Sequence, residues 1–132
     1  MTEEKGSQPY DIVIIGGGPA GLTAGMYAAR ANLRTLAIAG ASTVSQVTVT
    51  DVIENYPGIP EGINGFDLAE RLKTQAVQFG LQTASGDVTA VTKKRWGSQD
   101  GWEVAAGALS YGALAVIIAT GAIWRRLGVP GE

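Results

Sequence analysis

Apolar positions in this chain form unbroken runs in some places and helical periodicities in others. Tyr10-Asp11-Ile12-Val13-Ile14-Ile15 is a β-branched run with no polar alternation, the pattern of a strand buried on both faces of a parallel sheet. It runs directly into Gly16-Gly17-Gly18-Pro19-Ala20-Gly21. From about Pro19 to Ala31 a helix is predicted, with Ala24, Tyr27, Ala28 and Ala31 at helical spacing. A proline at the start fits, because the N–H it lacks would be unpaired there anyway. Thr35–Ala39 predicts a second strand. Strand, glycine-rich turn, helix and strand within roughly 30 residues make a βαβ unit.

The segment from Gly40 to Asn64 has turn chemistry, Asn55-Tyr56-Pro57-Gly58 followed by Pro60-Glu61-Gly62. Connections of that length are uncommon in compact domains and are often functional. Asn64 with Asp67 predicts a helix cap, with Phe66, Ala69, Leu72, Ala76 and Phe79 as the apolar stripe and Gly80 as the stop. Leu81–Thr83 predicts a short strand. Val88–Lys94 and Trp102–Ala106, either side of Gly97–Gly101, predict an antiparallel hairpin on which Trp96 and Trp102 pack across strands. Leu114–Ala119 is a last buried strand, followed by Thr120-Gly121-Ala122. The expected fold is α/β and Rossmann-like: a parallel sheet carrying the glycine-rich βαβ unit, plus a small antiparallel hairpin or meander insertion.

Composition narrows the chemistry. The chain has 132 residues, enough for one domain, expected as a flexible stretch over 1–9 and a folded unit over 10–132. It contains no cysteine and no histidine, which excludes disulfides, Cys/His metal sites, thiol redox chemistry and Ser-His-Asp triads from this chain. No catalytic residue and no metal site are expected within it. A net charge of −2 leaves no basic face for nucleic acid, and Lys93-Lys94-Arg95 is too short to supply one. Arg125-Arg126 reads as a solvated patch. Val104 to Trp124 carries no charge, but its glycines and polar residues leave only a strand-length apolar core, so no membrane partner is expected. The polar, acidic N-terminus is not that of a signal peptide, and a cytoplasmic location is expected.

Gly16-x-Gly18-x-x-Gly21, between a buried strand and an amphipathic helix, is the main chemical signal. The first glycine permits the tight turn, the second lets the backbone approach a pyrophosphate, and the third allows close helix–strand packing. The helix N-terminus then stabilises the phosphate charges. The alternative is a glycine turn without a ligand. One usual element is absent: the second strand ends Ile38-Ala39-Gly40, with no acid to hold ribose hydroxyls.

Tyr10–Gly21, Tyr27-Ala28-Ala29-Arg30-Ala31-Asn32-Leu33, Glu54-Asn55-Tyr56-Pro57-Gly58, Val116-Ile117-Ile118-Ala119-Thr120-Gly121-Ala122 and the final Leu127–Glu132 together resemble the start of low-molecular-weight thioredoxin reductases. The resemblance covers nearly the whole chain and implies the first part of an FAD-binding domain. It places Gly16, Gly18, Pro19 and Ala20 at the pyrophosphate. Gln46, Thr50, Ile53 and Asn55 would line the flavin end, and Val88 would present its backbone to the adenine. Ala119, Thr120 and Gly121 would lie near the pyrophosphate and ribitol. Side-chain amides such as Gln46 and Asn55 both donate and accept, which suits a flavin edge, although Asn and Pro-Gly also stabilise turns.

The chain departs from that family at Val44-Ser45, where the family usually has two glycines before the glutamine. The family's NADPH site, its Cys-x-x-Cys dithiol and the segment that completes its FAD site are not in this sequence. The resemblance therefore implies an FAD-binding lobe whose reaction, NADPH to FAD to a protein disulfide, is completed outside this chain. Its implied partners are FAD, the remainder of a reductase or a complementary subunit, and a second copy in a homodimer. The alternatives are a dithiol-less flavoprotein of the same fold, such as a ferredoxin–NADP reductase, and a non-catalytic nucleotide-binding module.

Overall fold

The computed structural model describes residues 8–42, 45–123 and 125–131. The stretch expected to be flexible therefore lies, apart from Gln8 and Pro9, outside the described residues, as do Val44, Trp124 and Glu132. Strand β1 (Tyr10–Ile15) leads through the glycine turn into helix α1 (Pro19–Arg30) and strand β2 (Thr35–Ala39). A 3₁₀ turn (Gln46–Val49) precedes helix α2 (Gly65–Gln78) and strand β3 (Gln82–Ser85). Strands β4 (Val88–Trp96), β5 (Gln99–Ala106) and β6 (Leu109–Ile118) complete the elements among the described residues.

The strands follow the order β3-β2-β1-β6-β5-β4. β2 pairs in parallel with both β1 and β3, and β1 with the second half of β6. β4, β5 and the first half of β6 are antiparallel. Ala113 is the changeover point, opposite Tyr10 of β1 on one side and Trp102 of β5 on the other.

This topology makes three layers. Successive β1 residues point to opposite faces, yet Val13 and Ile14 are both 0% exposed, as the unbroken apolar run requires. Ile14 and Ala37 pack with Leu22 and Ala29 of α1 and Ala76 of α2 on one face. Val13, Ile15, Leu36 and Ile38 pack on the other with Val104 and Ala106 of β5, so the antiparallel half curls back over that face. Buried Thr35 is satisfied by donating to the carbonyl of Leu33, 3.0 Å.

Several boundaries and one stripe differ from the sequence expectation. Helix α1 ends at Arg30, and β3 starts one residue later, with Leu81 buried beneath the helices. The expected five-residue hairpin loop shrinks to Gly97-Ser98, because Gln99, Asp100 and Gly101 join the ladder opposite Trp96, Arg95 and Lys94. Gly101 and Gly112 leave room for the Trp96 ring, which a Cβ on Gly112 would meet at 2.5 Å. Trp96 also donates its indole N–H to the carbonyl of Trp102, 3.3 Å, so these aromatics do pack across strands. β6 begins at Leu109, ahead of the expected Leu114, because pairing with β5 satisfies the backbone of its first half. On α2 Leu68 and Ala76 are buried and Leu72 is half-buried, while Phe66 and Phe79 are exposed. Asn64 caps α2 by accepting from the N–H of Phe66, 2.8 Å. Among the described residues, no helix is long and apolar enough to cross a membrane.

Candidate dinucleotide cleft

The carboxyl ends of β1, β2 and β6 open onto a cleft of about 640 Å³. This is where open α/β sheets bind ligands, because helix N-termini and strand-end loops converge there. The turn after β1 forms its floor. Gly16 has φ +128°, donates its N–H to the carbonyl of Ile38 (2.9 Å), and would carry a Cβ only 2.1 Å from the carbonyl oxygen of Ala119. Its lack of a side chain is what lets β1, β2 and the end of β6 meet.

Gly18 is different. Among the described residues, a Cβ there would find no neighbour nearer than the Ser45 hydroxyl at 3.5 Å, so Gly18 leaves space over the turn that they do not fill. Gly18 is also the N-cap of α1, and no side chain caps the helix in its place. Pro19 follows, and the first turn holds no acidic residue. The positive end of the helix dipole is therefore aimed at the cleft without an internal counter-charge.

Gly16, Gly18, Pro19, Ala20, Gln46, Val88, Ala119, Thr120 and Gly121 all line the cleft. Residues close to position 16 in sequence thus meet residues a hundred positions away because β1 and β6 are adjacent. Gln46 donates its side-chain amide to the carbonyl of Ala122, 2.5 Å, and so ties the segment after β2 to the end of β6. Thr50, Ile53 and Asn55 do not line the cleft. Thr50 donates to the carbonyl of Gln46 (3.2 Å), and its own carbonyl accepts from Gly65 (3.0 Å). Ile53 exchanges two backbone hydrogen bonds with Ile63 (2.8 and 3.0 Å), and Asn55 is exposed.

The segment from Gly40 to Asn64 is thus held from several sides. Its tightest contact is at Gly65, where a Cβ would lie 1.8 Å from the carbonyl oxygen of Val47 and 2.8 Å from that of Thr50. Gly65→Ala is expected to lower stability by about 1–3 kcal/mol through overpacking against backbone. Urea unfolding checks this: the midpoint should fall while the slope stays constant.

Sequence reasoning missed Ser42, Gly86 and Asp87, which also line the cleft. Among the described residues, Asp87 is the only ionisable side chain there. It accepts from the N–H groups of Ala41 (2.9 Å) and Ser42 (3.2 Å) and from the Ser42 hydroxyl (2.6 Å). The Ser42 hydroxyl bond leads in holding its carboxyl below the ordinary 3.8, with the backbone donors adding to it and a smaller opposing effect from burial. A depressed carboxyl contributes stability above its unfolded-state value and loses it as pH falls through the folded one, so this tie belongs to neutral pH. The available signal was Gly86-Asp87 before a strand, since Asp in turns bonds nearby backbone N–H groups.

The sequence and fold match known proteins over nearly the whole chain. The model of the pyridine nucleotide-disulphide oxidoreductase family matches residues 10–132. A thioredoxin reductase of Treponema pallidum is 46% identical over 123 residues, 93% of this chain and 39% of the relative. One from Bacillus subtilis is 45% identical over 135 residues, 100% of this chain and 39% of the relative. Among solved structures, Lactococcus lactis thioredoxin reductase superposes with a TM-score of 0.80 at 37% identity, covering 93% of this chain and 39% of that one. T. acidophilum thioredoxin reductase gives 0.82 at 31% identity, covering 96% of this chain and 40% of that one. The chain spans about two fifths of the length of these relatives.

Proposed function

The chain belongs to the pyridine nucleotide-disulphide oxidoreductase family, and from that premise we propose that its cleft holds FAD as one lobe of a thioredoxin-reductase-like flavoprotein. The observation that carries this reading is the unfilled space over Gly18, at an uncapped helix N-terminus. A pyrophosphate fits both features: the glycine admits it, and the helix dipole opposes its charge. FAD, when bound, supplies electron transfer between a nicotinamide donor and a disulfide.

The chain's own residues bind and orient. Gly16 holds the turn, Gly18, Pro19 and Ala20 meet the phosphates, and Val88 offers backbone at the adenine. Ala119, Thr120 and Gly121 form the wall beside the pyrophosphate and ribitol. Gln46, tied to Ala122, bounds the flavin end, and Thr50, Ile53 and Asn55 belong to the segment that borders it, held by the bonds of Thr50 and Ile53. The dithiol and the nicotinamide site come from outside this chain, which has no cysteine. Function in the cytoplasm and as a homodimer belongs to the same reading.

The test is Gly18→Ala, with FAD binding and melting measured together. Gly18 has φ −81°, which alanine adopts freely, and its Cβ would meet no backbone. Melting is expected to stay close to wild type, while FAD affinity falls by roughly 30- to 150-fold as charge-assisted bonds worth about 2–3 kcal/mol are lost. Unchanged FAD affinity would show that the space over Gly18 is not a phosphate site.

A further inference from the structure

The turn that contains Asp87 joins three parts of the fold. Its carboxylate takes the N–H groups of Ala41 and Ser42 on Oδ1 and the Ser42 hydroxyl on Oδ2. Its carbonyl accepts from Gly107 in the β5–β6 turn (3.3 Å), and the adjacent Gly86 donates to the carbonyl of Ala39 at the end of β2 (2.9 Å). In dinucleotide folds the end of the second strand is where a carboxylate serves the ribose of the adenosine. Here that end reads Ala39-Gly40-Ala41-Ser42, and the carboxylate beside it arrives instead from the β3–β4 corner.

We propose that Asp87 is a positioning residue of the cleft, whose carboxylate pins the loop leaving β2 and so shapes the end that takes the adenosine. This inference rests on the FAD reading above. A carboxylate has about four acceptor positions, and three donors of the loop already use those of Asp87. Its main commitment is therefore to the loop. Asp87 is also the only ionisable side chain on the cleft wall among the described residues, and its charge has the same sign as the pyrophosphate. The two effects oppose each other. Repulsion from an exposed carboxylate is screened by water and salt, whereas losing the clamp frees the backbone of consecutive residues that must be ordered again on binding. Holding the loop outweighs repulsion, so removing the carboxylate weakens binding.

The experiment titrates the full chain with FAD by flavin fluorescence, with ADP as competitor and FMN as the ligand that lacks adenosine. Asp87→Ala is expected to lose roughly 10- to 30-fold in affinity for both FAD and ADP, the scale of losing hydrogen bonds to a charged group. Its affinity for FMN should stay within about twofold, since FMN does not reach that end. Ser42→Ala, which keeps the charge and removes one clamp bond, should lose roughly 2- to 5-fold for FAD. Asp87→Asn, which retains a carbonyl oxygen for the two N–H groups, should fall between these and serves if the alanine variant does not fold. Asp87 variants that bind FAD as well as or better than wild type overturn the inference, because charge repulsion would then dominate. Equal losses for FMN and FAD overturn it too, since the effect would be general to the fold. A wild-type chain that binds neither FAD nor ADP overturns the FAD reading itself, and this inference with it.

Discussion

Gly21→Ala is expected to lower the unfolding free energy by about 3 kcal/mol and to abolish FAD binding. A Cβ at this position would lie 2.0 Å from the carbonyl oxygen of Gly16 and 3.0 Å from its carbonyl carbon. Both are backbone atoms of the turn, so no side-chain rotation relieves the clash. α1 must move off β1, and Gly18 and the helix N-terminus move with it, away from the cleft. Alanine improves helix propensity by about 1 kcal/mol over glycine, which offsets only part of this cost. The melting midpoint should fall by roughly 10 °C for a chain of this size. Gly25→Ala is the control: its Cβ would meet only the Leu81 side chain, at 2.7 Å, which can shift. Thermal melting of both variants, followed by FAD titration, checks the expectation. A Gly21→Ala protein that melts with the Gly25→Ala control and still binds FAD would mean that the helix can be repositioned without loss.

Ile14→Ala is expected to cost about 3–5 kcal/mol, a large share of the 5–15 kcal/mol that holds a typical domain together. Ile14 is 0% exposed, on the central strand of the parallel sheet, and packs with Leu22, Ala29, Ala37, Ala76 and Leu81. Several of these neighbours are alanines, with no long side chain to swing into the gap, so the cavity stays open. Ile14→Val should cost only about 1 kcal/mol. Ile118→Ala, on the neighbouring strand but 74% exposed, should change stability by less than about 0.5 kcal/mol. Urea unfolding of the three variants orders them. Equal midpoints for Ile14→Ala and Ile118→Ala would mean that the interface between sheet and helices relaxes to fill the space.

Local signals were strongest where one element makes its own case. β1 and β2 coincide with the expected runs Tyr10–Ile15 and Thr35–Ala39 because their apolar residues are continuous rather than alternating, as burial on both faces requires. Helix α2 was announced by Asn64 and closed by glycine, but its buried face was not: Phe66 and Phe79 fit the helical spacing, yet α1 and the 3₁₀ turn pack against α2, and it buries Leu68 and Ala76 instead. Spacing gives a helix a face without saying how wide a face the partner covers. Instead, Phe79 stacks with the guanidinium of Arg30, 5.1 Å from the ring centre. The length of β6 was hidden for a related reason. Leu109-Ser110-Tyr111-Gly112 forms no continuous apolar run, and only the adjacent β5 makes it strand.

In the cleft, the glycine motif was legible because its spacing is compact and lies between a buried strand and a helix, although only Gly21 meets a neighbour within the motif, and Gly16 makes way for Ala119 far along the chain. Ala119, Thr120 and Gly121 entered through family resemblance, and the structure brings them beside the motif by pairing β6 with β1. Asp87 was not legible, since its partners Ala41 and Ser42 lie 46 and 45 residues away and carry no pattern of their own.

By itself, the sequence determined the βαβ unit, the glycine turn, the family and the absence of thiol chemistry from this chain, because these depend on residue type and short-range spacing. The tertiary structure alone decided which side chains are buried, how the antiparallel layer covers the second face, and which residues share the cleft wall. Those outcomes depend on which strands become neighbours, and strand neighbours are chosen by the packing of the whole sheet rather than by any one segment.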